Sequence, residues 1–107
     1  MDGGLLRSLH EPEELLAEAR QIAAEIRDNT APVSVALVRH MMWKMLGADH
    51  PIEAHNIDSR GVYYRGRSAD SKEGVESFLE KRDANYPCRV SSDMPEFFPW
   101  WEERKFS

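Results

Sequence analysis

The chain has 107 residues, 41% hydrophobic and 31% charged, and carries a net charge of −5. That length supports one domain or part of one, with a core of modest size. The acidic balance argues against a nucleic acid partner, which needs a basic surface, and no apolar run reaches the roughly 18 residues of a membrane span. Cys88 is the single cysteine, which excludes an intrachain disulfide and a cysteine metal cluster. Met1-Asp2-Gly3-Gly4 lacks the basic start and apolar run of a signal peptide, so a cytoplasmic location is expected.

Leu5 to Leu9 is a short apolar stretch that decides nothing. Pro12 fits a first helical residue, Glu13 and Glu14 suit the positive end of the dipole, and Leu15, Ala19, Ile22, Ala23 and Ile26 form a helical stripe. Arg27-Asp28-Asn29 closes this first helix. Thr30-Ala31-Pro32 starts a second, lined by Val35, Val38, Met41, Met42, Met45 and Leu46, with Gly47 as a C′ residue. It is apolar around much of its circumference, which makes it the expected most buried element. Asp49-His50-Pro51 opens a third helix running from about Ile52 toward Tyr64, on a thin stripe that Gly61 weakens.

After a turn at Gly66 to Ser68, the run Ser68-Ala69-Asp70-Ser71-Lys72-Glu73-Gly74-Val75-Glu76-Ser77-Phe78-Leu79-Glu80-Lys81-Arg82 reads as a capped amphipathic helix. Asp70 and Glu73 have the spacing of a capping box, Val75, Phe78 and Leu79 share a face, and Lys81 and Arg82 suit the C-terminal end of the dipole. Beyond Asp83, Pro87, Pro95 and Pro99 break any helix. Tyr86, Phe97, Phe98, Trp100 and Trp101 crowd that stretch, which reads as an irregular arm whose aromatics pack onto something larger. The expected fold class is therefore all-α: about four helices in a helical region over 1–83, then an irregular tail over 84–107.

Few side-chain constellations carry chemistry. His50 and His55 are five apart, off the spacing that puts two metal ligands on one helix face, and a structural or surface role outweighs a metal site. Ser59, His55 and Asp58 lack a nucleophile elbow and point in different directions on a helix. Met41, Met42, Met45 and Trp43 could form an adaptable binding surface, but core filling is the better reading. Lys81 and Arg82 beside Phe78 could hold a phosphate, although on physics alone a solvated helix end wins.

Three segments tip that balance. Gly4-Leu5-Leu6, the stretch Ala24 to Val38 with its Asn29 and Pro32, and Ser68 to Arg82 with Glu73-Gly74 and Phe78-Leu79-Glu80-Lys81-Arg82 occur in the order and at the spacing of one family. They resemble the C-terminal third of the enoyl-CoA hydratase/isomerase (crotonase) family. The resemblance implies the helical region that forms the trimer contact in that family and closes over acyl-CoA. It also implies what is missing: the N-terminal core of ββα turns whose backbone N–H groups stabilise a thioester enolate, together with its acid and base residues.

The resemblance therefore implies no catalytic residue, no metal and no cofactor here, the CoA thioester being a substrate, and no activity in the chain alone. Two CoA contacts carry over, Phe78 and Lys81. A further aromatic of the family pattern falls at Val62, beside Tyr63, and is not carried over. The implied partners are a second copy (dimer or larger) or a crotonase-type core, with weak CoA binding at most and neither nucleic acid nor membrane. The alternative is a free-standing helical interaction module derived from that family.

Overall fold

The computed structural model describes residues 3–103 and 105. Among them are four α-helices and no strand: α1 (Pro12–Asn29), α2 (Pro32–Met45), α3 (Pro51–Gly66) and α4 (Ala69–Glu80). The all-α reading holds. α2 packs on α3 and α3 on α4, whereas α1 stands apart and buries no residue.

Each of the first three helices begins with proline, whose missing N–H costs nothing in a first turn. At the other end of α1, Asn29 Nδ2 donates to the Glu25 carbonyl at 2.8 Å and Thr30 Oγ1 to that of Ile26 at 2.5 Å. These bonds satisfy carbonyls that the helix leaves unpaired. The Leu15–Ile26 stripe forms as expected, but among its residues only Ile22 is half-buried. Leu15, Leu16 and Ile26 are exposed.

α2 is the most buried helix, on a face other than the expected one. Val33 and Leu37 are the fully buried hydrophobic residues of the described chain, while Val35, Val38, Met42 and Leu46 are exposed. A helix that is apolar all round has no intrinsic phase, so its partner chooses the face. Here α2 packs on α3, and Met41 reaches the buried Gly61, where a Cβ would lie in ordinary contact 3.7 Å from Met41 Cε. The glycine that weakens the sequence signal for α3 is thus the point where α2 and α3 meet. Gly47 does not cap α2 either. The helix ends on Leu46 in a right-handed conformation, with Ala48 N–H donating to the Met45 carbonyl at 3.2 Å.

α3 is capped by His50, whose Nδ1 accepts from the Ile52 N–H at 3.1 Å. The N-cap of α4 is Ser68, whose Oγ accepts from the Ser71 N–H at 3.2 Å. The expected capping box of Asp70 and Glu73 does not form. Asp70 lies inside the first turn, 2% exposed and ion-paired with Arg65, and Glu73 turns toward Arg82. Both carboxylates are drawn away by stronger partners, since a guanidinium outcompetes a backbone N–H for an anion.

The tail is irregular, as its prolines require, but its aromatics do not wait for a larger body. They pack on the chain's own helices. His40 of α2 stacks on Trp101 and meets the edge of Phe98, each at 5.1 Å between centroids, and Lys44 Nζ sits 4.4 Å from the Trp101 ring centre. Phe97 reaches Tyr64 of α3, whose hydroxyl donates to the Asp93 carbonyl at 3.4 Å, and Pro95 is fully buried. Nearer α4, Tyr86 lies over Gly74, where a Cβ would meet its ring at 3.7 Å. The tail therefore straps α4, α3 and α2 together.

Candidate functional site

α4 is built inside out. Its inward positions are Asp70, Glu73, Gly74 and Ser77, at spacings of three, one and three, and all are buried or half-buried. Its outward positions include Val75, Phe78 and Leu79, with Phe78 79% exposed. A polar inward face is stable only if its groups are satisfied, and they are. Asp70 accepts from the Arg65 guanidinium and from the Cys88 N–H at 2.9 Å, while Arg65 Nε also donates to Ser34 Oγ at 3.1 Å. Ser77 Oγ donates to the Gly74 carbonyl at 3.3 Å. One buried ion pair thus joins α2, α3, α4 and the tail.

Glu73 is the second tie. It accepts a two-pronged bond from Arg82, at 2.6 and 3.0 Å, and the Asn85 N–H at 2.7 Å. The Arg82 fork first, and the Asn85 amide second, hold the Glu73 carboxyl down to about 2. Arg82 Nε donates to Glu80 as well, at 2.6 Å. Both carboxylates are therefore spent on Arg82, and together they outweigh its charge.

Lys81 is placed differently from its neighbour. α4 ends at Glu80, and Lys81 takes a left-handed conformation with φ of 56°. Arg82 N–H donates to the Ser77 carbonyl at 3.1 Å and Lys81 N–H to that of Phe78 at 3.4 Å, the two bonds of a Schellman cap. Glycine is the usual residue there, because a side chain in that region costs about 1–2 kcal/mol. No carboxylate pairs with Lys81 among the described residues. It is a cation without a partner at the negative end of a helix dipole.

Phe78 and Lys81, the two residues expected to meet CoA, thus stand one turn apart at the same exposed end of α4. Phe78 borders a cleft of about 470 Å³ between Asp28 and Asn29 of α1 and the start of the tail, but it is Arg82 that lines this cleft with it. Val62 and Tyr63 are both exposed on α3, and Tyr63 is engaged by Arg67, whose Nη1 donates to its hydroxyl at 2.6 Å. The Arg65–Asp70 pair escaped sequence reasoning. Its partners lie on different helices, and a charged residue facing inward leaves no periodic trace.

No family model matches the chain. It is 38% identical over 71 residues to enoyl-CoA hydratase AKT3-2 of Alternaria alternata, which covers 66% of this chain and 23% of that protein. It is 40% identical over 67 residues to enoyl-CoA hydratase ACTT3 of the same organism, covering 63% and 22%. A third relative, enoyl-CoA hydratase AFT3-1, is 37% identical over 71 residues. The chain spans less than a quarter of the length of these curated relatives. Over about two thirds of its residues, this chain is related to the enoyl-CoA hydratase (crotonase) family.

Proposed function

We propose that this chain is an assembly and closing segment of an enoyl-CoA hydratase-type protein, silent in catalysis alone, with Phe78 and Lys81 meeting CoA. The observation that carries this reading is the reversed polarity of α4. An outward face of Val75, Phe78 and Leu79 is worth burying, at about 1.5–3 kcal/mol per side chain. The tail and α3 cover the polar face instead, which leaves the apolar one for a catalytic core. Lys81, unpaired at the end of that face, supplies a compact positive charge for a phosphate. The named relatives support the same direction.

The test joins this chain to an enoyl-CoA hydratase core deprived of its own last helices and titrates CoA. In the chain alone an exposed Lys–phosphate contact is worth about 0–1 kcal/mol, so binding is weak and Lys81→Ala changes little. In the joined protein a charge-assisted bond of about 1.5–3 kcal/mol makes Lys81→Ala cost about 10- to 150-fold in affinity. An unchanged affinity there leaves Lys81 as a helix-end cation. A second reading, a free-standing interaction module, is favoured by the tail, which ties α2, α3 and α4 together without any core. It gains if the chain assembles with itself and does not join the core.

A further inference from the structure

We propose that Glu73 and Arg82 are positioning residues, which hold Lys81 in its left-handed conformation and leave it, among the described residues, the cation offered to an anion at this end of α4. This inference rests on the reading of Lys81 as a phosphate contact and assigns roles to two residues that touch no ligand.

A lysine with φ of 56° persists only where its surroundings over-determine it. Here both chain neighbours of Lys81 are tied to each other, because Arg82 Nε donates to Glu80 Oε2 at 2.6 Å. Arg82 is anchored again, nine residues back, by the two bonds to Glu73. The chain beyond is pinned by the Asn85 N–H on the same Glu73 carboxylate, and Arg82 Nη1 reaches the Asp83 carbonyl at 3.2 Å. A residue between two such anchors cannot relax to the right-handed region without breaking the fork.

The fork also settles which cation is available. Arg82, with its planar donor array, is the stronger phosphate ligand of the two. Two carboxylates occupy it, so an approaching phosphate meets net negative charge at Arg82 and positive charge at Lys81. Without Glu73, Arg82 would compete for the same anion and the backbone between the anchors would loosen.

The experiment compares the intact chain with Glu73→Gln, Arg82→Lys and Lys81→Ala, alone and joined to the hydratase core. The first readout needs no ligand: the intraresidue amide–Hα cross-peak and coupling constant of Lys81 report its left-handed population by NMR. Glu73→Gln and Arg82→Lys should both shift that population toward right-handed values, since neither keeps a charged two-pronged pair. A left-handed Lys81 unchanged in both variants overturns the inference, whatever CoA does. The second readout is CoA affinity in the joined protein. Glu73→Gln should weaken it about fivefold, the population lost when a conformation costing about 1 kcal/mol is no longer enforced. In the Lys81→Ala background Glu73→Gln should cause no further loss, and any change should be a gain from the freed Arg82. A loss that persists there shows Glu73 acting independently of Lys81 and overturns the positioning role. An inert Lys81→Ala overturns the CoA reading, and with it the purpose assigned to the fork.

Discussion

Asp70 accepts from two donors that belong to different parts of the chain, the Arg65 guanidinium and the Cys88 amide. With 2% of Asp70 and 12% of the Arg65 side chain exposed, neither charge has water to fall back on. Removing one partner strands the other, which costs far more than the pair is worth on balance. Asp70→Asn should therefore destabilise the fold by about 3 kcal/mol, the low end for a broken buried pair. For a domain of this size that lowers the thermal midpoint by more than about 10 °C, measured by circular dichroism at 222 nm. A midpoint within a few degrees of the parent's would mean that water replaces the lost charge.

Glu73 makes a prediction about pH. Its folded carboxyl is depressed to about 2 from 4.5, by Arg82 and then by the Asn85 N–H. A depressed carboxyl stabilises above its unfolded value and loses that contribution as pH falls through its folded one. Stability from Glu73 is thus complete above about pH 5 and is lost between 4.5 and about 2. Asp93, lowered by the Arg89 N–H and then the Ser92 hydroxyl, acts in the same direction. Urea midpoints should be flat across the neutral range and fall in acid, and Glu73→Gln should flatten part of that fall. An acid limb identical in the variant would assign the loss to other carboxylates.

At the scale of elements, periodicity located the helices and chemistry in space chose their faces. Prolines at 12, 32 and 51 mark three starts that the structure keeps. What the sequence could not show is orientation. α2 carries two apolar stripes, and its packing in the fold buries Val33 and Leu37 rather than Val38 and Met42. On α4 the apolar stripe Val75, Phe78, Leu79 is real and faces outward, because buried charges hold the other side. The candidate site was legible as a motif, Phe78 with Lys81, but the left-handed cap at Lys81 was not, since glycine usually marks it. The unused stripes have a measurable consequence. Val38→Glu with Met42→Glu should leave the thermal midpoint near the parent's, because both sites are already exposed, and should reduce association seen by light scattering. Equal association in the variant would move the contact to α4 or the tail.

The whole molecule is open. Its radius of gyration is 17.2 Å, against about 13 Å for a compact chain of this length. Among the described residues α1 buries none of its own, and large apolar side chains on every helix stay exposed. Side-chain ties of long reach, Ser34 to Arg65 and Tyr64 to Asp93, lie between α2 and the tail. α1 takes part in no such tie with another helix.

That isolation has a consequence in time. An 18-residue helix with little tertiary cover is marginal in water, so its stability is close to that of a helix–coil equilibrium. The free energy of opening α1 is then close to zero, whereas the strapped helices open only with the unit they belong to. Amide hydrogen exchange should show α1 exchanging early and at a rate indifferent to low urea. The inner amides of α3 should be slow, and faster in Asp70→Asn than in the parent. Protection of α1 that matches α3 would mean that another body, a second copy or a core, has closed over it.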